Sequence, residues 1–254
     1  MTDLVAIHQT NFFPWLGYFD KIRRSDVFVL LDDVQYQKTG GTWANRVKVL
    51  INGQGRWLTA PVDRSFHGTR AIKEMTFSRA EDWREKLLKA VATAYRRAPH
   101  FEEAFALLDP LIRNPEENVA EYNIHAITTL AGAIGLSEKT LVRSSSLSSD
   151  ATGTQRLIDL TTRAGGQRYL CGGGAGGYQE DEMFAASGIT LVYQRFVAAP
   201  YRQHGAEGFV AGLSIIDAAM NVGWGGVGEL LVGATMCRAV AVESTDLAFR
   251  GPAR

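Results

Sequence analysis

The chain has 254 residues, enough for one large domain or two small ones and ample for a substantial core. Hydrophobic residues make up 46% and charged residues 21%, an ordinary globular composition. Lys plus Arg and Asp plus Glu both number 27, so the formal net charge is zero, which argues against a protein that grips nucleic acid through a bulk basic field and leaves room only for a local basic pocket.

No run approaches the roughly 18 apolar residues of a membrane span, and no membrane role is expected. Thr2 and Asp3 stand where a signal peptide would carry positive charge, and residues 4–7 are too short for its apolar region. Two widely separated cysteines, Cys171 and Cys237, fit a reducing compartment, so the expected location is the cytoplasm.

In chain order, Leu4-Val5-Ala6-Ile7 reads as a buried strand that runs into His8-Gln9-Thr10-Asn11 and then Phe12-Phe13-Pro14. Residues 15–24 read as a helix: Trp15, Phe19 and Ile22 recur at helical spacing, and Lys21, Arg23 and Arg24 suit its C-terminal end. Residues 27–31 form a second apolar run closed by Asp32-Asp33, giving the strand–helix–strand pattern of parallel pairing. Residues 47–51 and 56–61 flank Asn52-Gly53-Gln54-Gly55, a hairpin signal. A helical stretch at 80–109, broken near Pro99, and another at 115–134 suggest a helical insertion at about 80–134.

Residues 144–149 are a serine-rich loop, after which alternation resumes. A helix is expected at 154–164, a strand at 168–171, a glycine loop at 172–177, a helix at 180–186, a strand at 189–193 and a closing helix at 209–221. The expected fold is a single α/β domain over residues 1–254, with a Rossmann-like central parallel sheet, the helical insertion and a small β-hairpin.

Three clusters carry candidate chemistry, and because each follows a strand of one parallel sheet they are expected to share a single crevice, with the glycine loop 172–177 on its far wall. The first is His8, Gln9, Asn11 and Tyr18 at the carboxyl end of the first strand, where parallel sheets bind ligands. An imidazole whose ordinary pKa lies near neutrality could carry a proton or hold a phosphate there, and the same position equally suits a structural histidine. The second is Asp33, Gln35, Tyr36 and Lys38 with Trp43, Asn45 and Arg46. Its carboxylate could hold an amine, Lys38 and Arg46 could neutralise phosphate or carboxylate, and Tyr36 and Trp43 could stack on a ring. The alternative is a solvated loop with a capping aspartate. The third is the loop Gly172-Gly173-Gly174-Ala175-Gly176-Gly177-Tyr178, with Gly172, Gly174, Gly177 and Tyr178 as candidate substrate contacts.

That loop contains G-x-G-x-x-G, but Tyr193-Gln194-Arg195 stands where the acidic residue of a dinucleotide site belongs, so only a permissive, anion-accepting backbone is inferred. Five histidines, His8, His67, His100, His125 and His204, show no metal-ligand spacing, and no metal site is expected. Cys171 reads as a buried structural cysteine.

These motifs resemble the WbqC-like family. The resemblance is carried by His8-Gln9-x-x-Phe12-Phe13-Pro14-Trp15-Leu16-Gly17-Tyr18-Phe19-x-Lys21-Ile22, Asp33-x-Gln35-Tyr36-x-Lys38, Trp43-x-Asn45-Arg46, Tyr169-Leu170 and Leu213-Ser214-Ile215-Ile216-Asp217. Thr10 departs from the proline usual there. The resemblance implies a role in bacterial O-antigen or other specialised biosynthesis, with glycyl or aminoacyl transfer to an amino group as its suggested chemistry. A weaker similarity of Phe12-Phe13-Pro14-x-x-Gly17-Tyr18 to the opening of nucleotidyltransferases and pantothenate synthetase-like ligases implies a nucleotidyltransferase-like sheet.

The leading expectation is a biosynthetic transferase or ligase that forms an amide on a sugar or small metabolite. His8, Asp33, Lys38, Asn45 and Arg46 are its catalytic candidates, with the acceptor amine between Asp33 and Asn45 and His8 as general base. The cofactor is not legible; ATP with Mg2+ to activate a carboxylate, or an aminoacyl donor, would each serve. Charged tRNA is one such donor, although the zero net charge lends it no support. The alternatives are a nucleotidyltransferase acting on a phosphorylated sugar or small molecule, and a non-catalytic binding protein for a biosynthetic intermediate. Oligomeric state is not legible.

Overall fold

The computed structural model describes residues 3–38, 42–172 and 180–245, with side chains as far as residue 233. The first apolar run becomes strand β1 (Leu4–Gln9), which carries His8 and Gln9 at its carboxyl end. Helix α1 (Leu16–Arg24) returns the chain to β2 (Val27–Leu31), parallel to β1 with Val5 opposite Val27 and Gln9 opposite Leu31. Next comes the hairpin of β3 (Arg46–Ile51) and β4 (Gln54–Thr59). Asn52 and Gly53 both take positive φ, 51° and 72°, so two residues suffice to close it. The four-residue link read from sequence is therefore half that length, and β4 starts two residues earlier than expected.

Helices α2 (Trp83–Tyr95), α3 (Phe101–Arg113) and α4 (Val119–Ala133) fill the expected insertion. Asp82 caps α2 by accepting from the Glu85 N–H, and Asn118 caps α4 by accepting from Ala120 and Glu121. Strand β5 (Thr140–Arg143) was not anticipated. It is a four-residue edge strand with no residue fully buried, so it lacks the apolar run that marks a central strand. Helix α5 (Gly153–Arg163), β6 (Arg168–Cys171), α6 (Asp181–Ala186) and β7 (Thr190–Tyr193) follow, and α7 (Ile215–Thr245), broken at Gly223, ends the described chain.

The five central strands lie in the order β5-β2-β1-β6-β7, every neighbouring pair parallel. The α/β, Rossmann-like expectation holds, with the hairpin as a separate two-stranded sheet. Alternate side chains divide between the two faces. Ala6, Phe28, Leu30 and Leu170 join a large core shared with α1, the hairpin, α2–α4 and α7, whereas Val5, Ile7, Val29, Tyr169 and Cys171 join a smaller core under α5 and α6.

The closing helix starts at Ile215, not at 209. Before it, Gln203 holds a loop by donating through Nε2 to the Val210 carbonyl and accepting at Oε1 from the Val210 N–H. Ile215–Gly233 has the length and a mean hydropathy, 1.2, that would let it cross a membrane, and 61% of that stretch is buried inside the fold, as in a core helix.

At the start of α7 the fully buried Asp217 carboxylate accepts from Tyr95 Oη at 2.9 Å, Tyr201 Oη at 2.6 Å and Gln203 Nε2 at 2.8 Å. Tyr95 Oη in turn accepts from the Leu50 N–H at 2.7 Å, which ties β3 to α2 and α7. Burial raises the Asp217 pKa, and the three donors oppose that rise. Tyr95→Phe strips a donor from this carboxylate and orphans a buried N–H. It should lower unfolding free energy by about 2–3 kcal/mol in urea denaturation, and an unchanged midpoint would contradict the hub.

Candidate functional site

The sheet reverses its strand order at β1. The chain moves from β1 to β2 on one side and later places β6 on the other. In open parallel sheets the adjacent loops part at such a point and leave a crevice beyond the carboxyl ends. A cleft of about 690 Å³ lies there. Ile7, His8 and Gln9 of β1 form its base, with Tyr169 and Gly172 on the β6 side. Trp15, Gly17 and Tyr18 at the start of α1 line one wall, and Gln194, Arg195 and Phe196 after β7 line another.

Local backbone constraints aim α1 at this cleft. Phe13 takes a left-handed φ of 43°, and the turn is pinned by Ser214 Oγ donating to the Phe13 carbonyl at 2.7 Å and by the Ile215 N–H donating to the Pro14 carbonyl at 2.8 Å. The Trp15 ring lies across Gly17, where an added Cβ would come within 2.3 Å of it. Gln194 locks the far wall to α1, donating from Nε2 to the Gly17 carbonyl at 2.6 Å and to Asp20 at 3.0 Å.

Lys21 is the main addition to the site. The sequence reading placed it among basic residues at the helix end, yet it follows Tyr18 by three positions and so shares the buried face of α1. Its side chain lines the cleft and is only 4% exposed. Nζ donates weakly to the Ile7 carbonyl at 3.4 Å, and among the described residues no carboxylate lies within ion-pair distance. Burial pulls its pKa down to about 8, with a smaller opposing effect from Cys171. Arg195, exposed and held at a φ of 42°, adds a second cation without an ion-pair partner among the described residues.

His8 keeps some surface toward the cleft but is densely surrounded. Burial, and then the neighbouring Lys21 charge, lower its pKa to about 3. The sequence reading took the ring as titrating near neutrality; here it is a neutral imidazole at physiological pH. Nδ1 lies 3.3 Å from the Gln9 carbonyl, which can only accept, so the contact assigns the proton to Nδ1 and leaves the Nε2 lone pair available. Tyr18 packs edge-on against His8 and donates to the same carbonyl at 3.0 Å.

The remaining candidates divide. Gln35, Tyr36 and Lys38 line a second cleft of about 360 Å³ with Gly68 and Thr69, and Gln37 lines both clefts. Asp33 is held by Arg156 Nη2 at 2.6 Å and by Ser144 Oγ at 2.5 Å, so its charge is already paired. Asn45 is buried, accepting from Tyr36 Oη and donating to the Ala60 carbonyl, and it lines neither cleft. An acceptor amine held between Asp33 and Asn45 therefore has no support in this geometry. Arg46 lies over the Trp57 ring, 4.2 Å from its centroid, and Trp43 meets Trp57 edge-on, so both belong to the hairpin surface. Asn11 is buried in the turn.

Gly174, Gly177 and Tyr178 lie outside the described residues. The sequence reading missed Lys21, Gln37, Gln194 and Phe196 and used Arg195 only to reject a dinucleotide site. Among the described residues no group of three or more His, Cys, Asp or Glu is placed to hold a metal ion.

A model of the WbqC-like protein family matches residues 9–228. The chain is also 30% identical over 222 residues to the uncharacterized protein Rv1507c of Mycobacterium tuberculosis, an alignment spanning 86% of this chain and 94% of that one. No solved structure matches it.

Lys21 gives the site a thermodynamic signature. Its folded pKa of about 8 lies below the ordinary 10.5, so the unfolded chain binds more protons between those values and stability rises with pH across that window. Lys21→Met should remove this rise and stabilise the protein at neutral pH by about 3 kcal/mol, read from paired denaturation curves. Parallel curves for the two proteins up to pH 10.5 would contradict an uncompensated ammonium.

Proposed function

Because the chain belongs to the WbqC-like protein family, we propose that it is a cytoplasmic biosynthetic transferase or ligase that forms an amide on a sugar or small metabolite, and that its anion-bearing substrate docks on Lys21. The buried ammonium beside His8 in the larger cleft, with no carboxylate at ion-pair distance among the described residues, carries this reading. An ammonium kept from water without a counter-charge is stabilised by a ligand's phosphate or carboxylate, and such a charge-assisted contact is stronger there than in solvent.

Neutral His8 presents Nε2 to an acceptor amine. The amine nitrogen attacks the donor's carbonyl carbon, the leaving group departs, and the imidazole takes the proton lost from nitrogen. Two causes hold the His8 pKa down, burial and the Lys21 charge. An anion on Lys21 offsets the second, so donor binding makes the ring a better base at the moment it is needed. Arg195 and the first turn of α1 support the same negative charge.

Anion affinity should fall as pH rises through about 8, because the free ammonium loses its proton there while the bound one keeps it. Calorimetric titration with phosphate esters checks this, and an affinity flat across that range would contradict docking on Lys21. With amino-sugar acceptors and either ATP plus glycine or an aminoacyl donor, mass spectrometry should detect an amide. His8→Ala should slow its formation by about 100-fold or more with little loss of donor binding. No amide from any donor would overturn the reaction assigned.

A further inference from the structure

The two clefts share a lining residue. Gln37, on the loop after β2, lines both the larger cleft over β1 and β6 and the smaller one beside Lys38. Lys38, on the smaller cleft's lining, holds Nζ 3.8 Å from the Phe66 ring centroid, and the guanidinium of Arg70, next in the chain to the lining residue Thr69, lies 4.5 Å from the same centroid. Two cations are thus gathered on one ring. Lys38 spends one donor on the Phe66 carbonyl, at 3.1 Å, and retains two. Arg64 adds a third positive charge at Tyr36, which lines the cleft.

Among the described residues none of the three cations has a carboxylate within ion-pair distance. Asp63 is the acid on this loop. It accepts from the Ser65 N–H and hydroxyl, and Arg70 contributes only weakly to the low pKa of its carboxyl. Like charges held together without a counter-ion repel, and a multiply charged oxyanion relieves that repulsion. Gly68 and Thr69 complete the same lining.

We propose that the smaller cleft is a phosphoryl subsite, so that one elongated substrate lies across Gln37 with an anionic group on Lys21 and a phosphoryl group among Lys38, Arg64 and Arg70. This extends the reading of the larger cleft and rests on it. The substrate is then a phosphorylated metabolite or a nucleotide-linked one, which a single anion pocket would not select. Both anchors on one molecule make the second contact intramolecular, which multiplies affinity once the spacing matches.

The test titrates the full chain by calorimetry with alkane α,ω-bisphosphates of increasing length and with the matching alkyl monophosphates. The best bisphosphate should bind at least about tenfold more tightly than its monophosphate, with an optimum at one chain length. In Lys38→Met, and in Arg70→Gln as a second variant, the pair should bind within about a factor of two of each other. Lys21→Met should weaken both probes. If Lys21→Met weakens both but the wild-type protein shows no gain from the second phosphate, the subsite is wrong and the larger cleft stands. If Lys21→Met changes neither, the larger cleft's reading fails first and this inference with it. A gain that survives both Lys38→Met and Arg70→Gln places the second phosphate elsewhere and overturns the assignment.

Discussion

All five central strands run in one direction, so all of them end at one edge, and β1 in the middle is where the chain turns outward to both sides. The loops after β1 and β6 must part there, and the first helix must start between them. Everything on that edge follows from this: the cleft, the inward aim of the first turn of α1, and the placement of Lys21 one turn deeper. A lysine at this depth would ordinarily be excluded, because removing an ammonium from water is expensive unless a partner replaces the water. Among the described residues, the fold instead leaves Lys21 with a long contact to the Ile7 carbonyl.

The rest of the molecule rigidifies that arrangement. Ser214 and Ile215 fix the left-handed turn at Phe13, and Asp217, one helical turn on, gathers Tyr95, Tyr201 and Gln203. The hairpin and α2 enter through Tyr95, which bonds both Leu50 and Asp217. On the other side Gln194 clips the end of β7 to α1. The motif residues Ser214 and Asp217 therefore act on the site at second hand, by holding the turn that carries Trp15 and Gly17. Asp32 and Asp33 do similar work at the neighbouring strand end, bonding Ser144, Ser145 and Arg156.

Much of the fold was legible because its signals are strong ones. Continuous apolar runs mark doubly covered parallel strands, and helical spacing from Trp15 to Ile22 marks the first crossover. Strand β5 was not legible, since an edge strand needs no apolar run. The late start of α7 was not legible either, because Phe209 and Val210 belong to a loop held by one glutamine. In the site, the single shared crevice expected from position after a strand is divided: His8 and Gln9 line the larger cleft, and Gln35, Tyr36 and Lys38 the smaller one. Position after a strand could not tell that Asp33 and Asn45 would be consumed by partners distant in sequence, Arg156 and Ala60. Lys21 was in view but assigned to the helix dipole; its three-residue spacing from Tyr18 was the signal that it faces inward.

Substrate anchoring in the larger cleft turns on the protonation of one amine, and that can be observed directly. Proteins labelled with carbon-13 at the lysine ε-carbons, with Lys21 assigned by comparison with Lys21→Arg, report each ammonium's titration by two-dimensional NMR. The Lys21 resonance should titrate near 8 in the free protein and move upward when a phosphate ester is added. A resonance that titrates near the ordinary 10.5 and ignores the ester would contradict both the burial of the charge and its role as the anchor for a substrate.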